Sequence, residues 1–380
     1  YIDREYKLAL SLLEQSKLDE AETKILNILQ YVPNHPEILN FIGRLYQFKG
    51  DFTKSIKYLT EANKYDDTNP LIYYNLCLAY TITKNLDKTK WAVDNYIKNS
   101  PNNPNRHFTN LYISKLYFDT LDIKQTSKYY VKSQIPIFEQ FAKLLIPRIY
   151  MSNKEAARYR KEYIDTLDYV INNYKKFQID DANFLNYLQF TYCYCFPLSY
   201  QGRSNAEIFK KQCQMYRLIY PQLNYTSKYL NNYLTKTSED KINIGFISNH
   251  FFNHSVTRDR MGVIRNLPRT QFNVFVFYYS KPNDDLGGFV WDSENTNIVL
   301  PDSNIYERRS IIENQKLDIL VFCDIGMAPD TQWLSYSRLA PIQLTTWGHS
   351  DTSGIDTIDY YMSSSYYEEE WAQENYSEKL

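Results

Sequence analysis

Three prolines constrain this chain more than any other feature: Pro36, Pro70 and Pro104 recur at intervals of 34 residues. A fixed period of about 20–50 residues marks one supersecondary unit stacked on copies of itself. With Pro36 as the first position, Leu39, Ile42, Gly43, Tyr46, Ser55, Leu59 and Ala62 run large, large, small, aromatic, small, large, small. The next unit places Tyr73, Leu76, Cys77, Tyr80, Thr89, Val93 and Tyr96 at the same positions. The preceding one places Leu8, Ala9, Leu12, Ala21, Ile25 and Ile28, with Pro33 near its end. Small residues let two helices of a hairpin approach closely, and large ones fill the space between neighbouring hairpins. Gly50-Asp51 and Asn85 are turn residues between helices. The last small position is the loosest, since Ile28 and Tyr96 are large.

This is the tetratricopeptide pattern, and it predicts a helical solenoid over residues 1–135, with Pro104 to about Ile135 as a fourth, decayed unit. A solenoid of this kind offers a groove to another chain. From 136 to 240 the pattern stays helical but leaves the period, which predicts a helical connector capping the solenoid. Two pieces stand out there. Ile146–Ser152 precedes a long amphipathic helix reaching about Tyr174, and the loop Tyr200–Asn205 opens a helix that ends before Pro221.

The periodicity changes at Lys241. Ile242–Ser248 alternates in the manner of a strand, and Phe272–Tyr279, Asn297–Leu300, Leu317–Asp324, Ile342–Trp347 and Asp359–Ser363 read as five more. Helical segments at Thr257–Asn266, Asn304–Asn314 and Asp330–Ser337 lie between most of them. Alternating strand and helix predicts a parallel, doubly wound sheet over 241–380. Ligands of such sheets sit beyond the carboxyl ends of the strands. The loops to inspect are therefore Ser248–Thr257, Asp324–Met327 and Gly348–Gly354.

Three of the five histidines, His250, His254 and His349, fall in these loops. Imidazole is the side chain best suited to proton transfer near neutral pH. Any one of them alone reads first as an ordinary loop residue; three on one edge bring a chemical role level with that reading. Gly348 and Gly354 would let backbone amides approach a bound group. His250 and His254 are four apart but lie in a loop with no carboxylate pattern nearby, so no metal is expected. The chain lacks a Gly-x-Gly-x-x-Gly after the first strand, a Walker loop and a Gly-x-Ser-x-Gly elbow.

Composition narrows the partners. A net charge of −1 argues against a nucleic-acid binder, which needs a basic face. No run approaches the about 18–20 apolar residues of a membrane span, and no secretory segment opens the chain. Cys77, Cys193, Cys195, Cys213 and Cys323 are odd in number and without a Cys-x-x-Cys, which fits a reduced, intracellular (cytoplasmic) protein rather than a disulfide framework or a zinc site. The 37 tyrosines read first as codon bias. The run Glu368–Glu370 reads as a solvated face. Opening on Tyr1 rather than Met is what a piece of a longer protein would show.

Several segments resemble the O-GlcNAc transferase family, the tetratricopeptide-repeat, two-lobed (GT-B) protein glycosyltransferases, in its bacterial and virus-like branch. They are Leu339–Gln343, Trp347-Gly348-His349, Asp351–Ile355, Thr357–Tyr360 and Tyr376–Leu380. Asn253-His254-Ser255, Asp324–Met327 and Tyr200-Gln201-Gly202 extend the likeness. The resemblance implies that 241–380 is the first Rossmann-like lobe, with the second lobe absent and beginning soon after Leu380. It implies inverting, metal-independent transfer of a sugar from a UDP-sugar, GlcNAc or glucose, to a Ser, Thr or Asn side chain of an acceptor protein held by the repeats. His254 matches the family's active-site histidine. Trp347, Gly348 and His349 match the loop touching the donor sugar, and Asp351, Thr352, Asp324 and Gly326 join them as substrate-binding positions. Because the family holds UDP mainly with the second lobe, residues 1–380 alone are expected to show no turnover. Ser350 stands where the family usually has Pro, and Asn297 roughly where animal members have a His. Phe41 and Asn75 occupy the position of the asparagine ladder that lines the animal groove, so Tyr-rich side-chain contacts are expected there instead. The other reading is a partner-binding repeat scaffold carrying a relic lobe.

Overall fold

The computed structural model describes residues 2–14, 17–100, 106–119, 122–192, 195–233, 237, 240–282, 284–291, 293–301, 304–349 and 351–380. Pro104, Cys193 and Ser350 lie outside the described residues. The chain divides into two compact units, Tyr1–Ala142 and Lys143–Leu380.

The first unit is built from helices in sequence: α1 (Ile2–Glu14), α2 (Leu18–Tyr31), α3 (Pro36–Phe48), α4 (Phe52–Tyr65), α5 (Pro70–Ile82), α6 (Leu86–Asn99), α7 (Arg106–Asp119), α8 (Ile123–Lys132) and the short α9 (Pro136–Phe141). They pack as successive hairpins, α1 with α2, α3 with α4, α5 with α6 and α7 with α8, each stacked on the next. The period has a physical basis at the starts of α3 to α6. Pro36 and Pro70 sit in the first turn of α3 and α5, where a missing N–H costs nothing. Asp51 and Asn85 cap α4 and α6, accepting the amides of Lys54 and Lys88 at 2.9 and 3.2 Å. Ala21, Ile25 and Ile28, then Ser55, Leu59 and Ala62, then Thr89, Val93 and Tyr96 are all buried, so the large residues at the last position are accommodated in the core.

The side chains at the ladder position turn inward. Phe41 is 3% exposed and packs edge-on against Tyr6, and Asn75 is 7% exposed. Asn75 Nδ2 donates to Asn40 Oδ1 at 2.9 Å, and its carbonyl accepts Gln47 Nε2 at 2.7 Å. Both side chains tie repeats together rather than reaching for a bound chain.

In the second unit, α10 (Asn153–Asn172), α11 (Asp181–Leu188) and α12 (Ala206–Ile219) lead to a two-residue strand β1 (Tyr225–Thr226). Then come β2 (Ile242–Ser248), α13 (Ser255–Asn266), β3 (Phe272–Tyr278), α14 (Asp285–Trp291), β4 (Thr296–Val299), α15 (Ile305–Glu313), β5 (Ile319–Phe322), α16 (Pro329–Ser335), β6 (Ser337–Arg338), β7 (Ile342–Thr346) and β8 (Tyr360–Met362). The main sheet has six strands in the order β4-β3-β2-β5-β7-β8, all parallel. From β2 the chain winds outward through β3 to β4, then returns to lay β5 on the other side of β2. That reversal is the switch point where open parallel sheets part their loops and bind ligands.

The expected connector does not stand apart: residues 143–240 fold into the same compact unit as the sheet. A parallel bridge of β1 to β6 fastens them. Beside it the buried Arg309 donates through Nε to Ser337 Oγ at 2.7 Å and through Nη1 to the Gln222 carbonyl at 3.0 Å. Its guanidinium lies 4.9 Å from the Tyr225 ring, and burial lowers its pKa to about 10. Helix α14, which the sequence did not announce, packs against α13. No helix among the described residues is long and apolar enough to cross a membrane.

The tightest test of the repeat register is Gly43. A Cβ there would lie 2.4 Å from Leu59 Cγ, because α3 and α4 touch at this point. Gly43→Ala should therefore cost about 1–3 kcal/mol of stability, despite the better helix propensity of alanine. Thermal unfolding measures it, and an unchanged or higher Tm contradicts the packing.

Candidate active site at the switch point

Strands β2 and β5 flank the switch point, and their following loops are bound to one buried group. Asp324, 0% exposed, accepts three hydrogen bonds on Oδ2. Ser248 Oγ donates at 2.9 Å, the Asn249 amide at 2.8 Å and His250 Nδ1 at 2.7 Å. The loop is stapled further by Ser248 Oγ, which accepts the His250 amide at 2.8 Å, and by Thr257 Oγ1, which donates to the His250 carbonyl at 2.7 Å. Asp324 therefore organises the loop from beneath.

His254 ends this loop as the N-cap of α13, its Nδ1 accepting the Val256 amide at 3.2 Å. Its ring centroid lies 4.4 Å from that of His250. Burial, and then the neighbouring His250, hold the His254 pKa below the ordinary imidazole value. From α13 the buried Arg260, 2% exposed, reaches the loop after β7: its guanidinium sits 4.0 Å from the centre of the Trp347 ring. Its Nη2 also lies 2.7 Å from Asp259 Oδ2, an ion pair without hydrogen-bond alignment. Desolvated cation–π contacts of this kind contribute about 2 kcal/mol.

The loop after β7 is packed against the loop after β5. A Cβ on Gly348 would fall 2.1 Å from the Cys323 carbonyl oxygen, so only glycine lets these backbones meet. His349 turns inward, 5% exposed, with its ring edge-on to Phe196 at 4.6 Å between centroids. Its Nε2 has no partner among the described residues. Asp351 accepts Asn205 Nδ2 at 2.6 Å and Ser199 Oγ at 3.0 Å, and burial raises its carboxyl pKa. Asn205 in turn accepts Arg160 Nη1 at 2.6 Å, so a chain of polar contacts runs from α10 to this loop. Thr352 Oγ1 and the Ser353 amide donate to the buried Glu378 at 2.5 and 2.8 Å. Gly326 donates its amide to Gln332 Oε1 at 2.9 Å and accepts Tyr192 OH at 2.6 Å.

The residues singled out from sequence thus divide into two groups. His254, Trp347 and Gly348 remain partly exposed at the edge, together with His250. Asp324, His349 and Thr352 are buried, and Asp351 and Gly326 bond within the protein; these five shape the loops from behind. A recess of about 20 Å3 lies among Gly326, Gln332, Thr346, His349, Asp351 and Cys195. Ligand pockets span about 300–1,000 Å3, so this one is sized for a water, and neither His250 nor His254 lines it. Sequence reasoning missed Arg260, Asn205 and Glu378. Nothing in their spacing marks them, although Asn205 closes the Tyr200–Asn205 loop that stood out. The described cysteines are unbridged. No group of three His, Cys, Asp or Glu among the described residues is placed to hold a metal ion.

No family model and no curated protein matches the chain. Among solved structures it is similar to a point mutant of the Thermobaculum terrenum O-GlcNAc transferase, at 14% identity and TM-score 0.41, over 100% of this chain and 56% of that one. The chain thus spans little more than half of that protein. It is also similar to Pseudomonas aeruginosa pilF (14% identity, TM-score 0.36, 57% of this chain and 83% of that one). PilW, a widely conserved type IV pilus biogenesis factor, matches at 14% identity and TM-score 0.35, over 57% of this chain and 86% of its own. The fold described above rests on strand order and helix pairing, not on these likenesses.

His349 gives the lobe an acid sensitivity. Burial lowers its pKa from 6.5 to about 4, so the folded ring stays neutral where an unfolded one binds a proton. The unfolded state then holds more protons between these values, and stability falls as pH drops from 6.5 towards 4, by up to about 3 kcal/mol. Denaturant unfolding across this range should show a shallower fall for His349→Gln; an identical slope contradicts the assignment.

Proposed function

We propose that this chain is the acceptor-holding and nucleophile-facing part of a protein glycosyltransferase that uses a nucleoside-diphosphate sugar. The observation that carries the reading is the histidine pair at the switch point, partly exposed as Trp347 and Gly348 also are, in a chain that also carries an array of helical hairpins. An in-line displacement needs an acceptor hydroxyl at attack distance, a route for its proton and stabilisation of the leaving diphosphate. Binding of the acceptor chain is assigned to the repeats and the proton's route to the edge histidines. The third is assigned to a further lobe, of the kind the family resemblance implies, and the donor is UDP-GlcNAc or UDP-glucose without a metal.

The second reading, a non-catalytic scaffold, is favoured by one observation: His349, Thr352 and Asp324 are buried. The two are separated by incubating the full-length parent protein with labelled UDP-GlcNAc and UDP-glucose. Label transferred to protein supports the enzyme, with residues 1–380 alone inactive. His254→Ala in the parent should then lower turnover about 100-fold while the fold is kept. No transfer from either donor leaves the scaffold.

A further inference from the structure

We propose that His250, held by Asp324, is the proton-accepting base of this edge, taking the proton of an attacking hydroxyl at Nε2, while His254 acts beside it as an Nε2–H donor. The assignment follows from the hydrogen-bond partners. A carboxylate oxygen only accepts, so Asp324 Oδ2 at 2.7 Å places the His250 proton on Nδ1. The neutral ring then carries its lone pair on Nε2, which has no partner among the described residues. A buried carboxylate behind an imidazole fixes its tautomer and stabilises the imidazolium formed when it takes up a proton.

His254 is wired the other way. Its Nδ1 accepts the Val256 amide, so the neutral ring bears its proton on Nε2. To act as a base it would have to take the proton on Nδ1 and give up the cap of α13. Burial, which disfavours its charged form, agrees with a neutral donor. The ring centroids lie 4.4 Å apart, so the acceptor and the donor stand side by side at this edge. Asp324 is a positioning residue in this scheme.

The identity of nucleophile and leaving group rests on the glycosyltransferase reading. The acceptor O–H gives its proton to His250 Nε2 while the oxygen forms its bond to the anomeric carbon. The bond from that carbon to the donor's phosphate oxygen breaks, and its electron pair leaves on the nucleoside diphosphate. The imidazolium then releases its proton to solvent.

The test begins with 15N labelling of the five histidines in the intact chain. Two-bond proton–nitrogen correlations are read at about pH 8, above the ordinary histidine range. The expected pattern is protonated Nδ1 and bare Nε2 for His250, the reverse for His254, and loss of the His250 pattern in Asp324→Asn. A protonated Nε2 on His250 in the unsubstituted chain overturns the proposal. In the parent enzyme, His250→Gln should lower kcat about 100-fold or more with little change in the donor KM and an unchanged backbone spectrum. An unchanged kcat overturns it equally. A parent protein that transfers no sugar removes the glycosyltransferase reading, and the tautomer pattern then still decides whether His250 is the proton acceptor of this edge.

Discussion

One buried carboxylate holds the switch point together. Taking Asp324 out of water costs several kcal/mol unless hydrogen bonds compensate. They come from Ser248 at the end of β2 and from Asn249 and His250 in the loop after it, all on one oxygen. Charge-assisted bonds of this kind are about twice as strong as neutral ones. The loop can leave its place only by stranding the charge. Because β2 and β5 are neighbours on either side of the reversal, the same contact joins the two halves of the sheet where a ligand would approach. The Cys323–Asp324 backbone is also the surface on which Gly348 rests, so the loop after β7 inherits its position from the same turn.

The second set of constraints comes from the helices preceding the sheet. Arg160, Asn205 and Asp351 form a polar relay from α10 into the loop after β7, and Glu378 ties that loop to the end of the chain. The β1–β6 bridge and Arg309 complete the attachment. Loops anchored at both ends lose little freedom when a ligand arrives, which is the physical content of preorganisation. Residues resembling a donor-binding motif thus include several whose side chains serve this anchoring, leaving Trp347, Gly348 and the two β2-loop histidines at the partly exposed edge.

Much of this was legible beforehand, for definable reasons. The alternation of small and large residues fixes the helical hairpins, and the Gly43–Leu59 contact follows from it directly. Strand β2 runs from Ile242 to Ser248, as its alternation indicates. Helix α14 was hidden because Gly287 and Gly288 are poor helix formers; α14 forms by packing against α13. Strands β1 and β6 have two residues each, below any periodicity. The loops of the site could be placed because they follow strands. Which way each side chain turns could not, since its partner is remote: Asp351 is held by Asn205 and Ser199, 146 and 152 residues away. For the same reason the motif singled out His254, whereas the carboxylate that orients an imidazole stands behind His250.

The claim that Asp324 fixes this edge is tested most directly by hydrogen exchange at the Asn249 amide. Asn249 lies beyond the end of β2, in a turn, where a backbone amide ordinarily exchanges as an open one. Bonded to a buried carboxylate, it should instead exchange as slowly as the amides of β2, and that protection should vanish in Asp324→Ala while the strand keeps its own. Exchange at the open-loop rate in the unsubstituted chain would contradict the account.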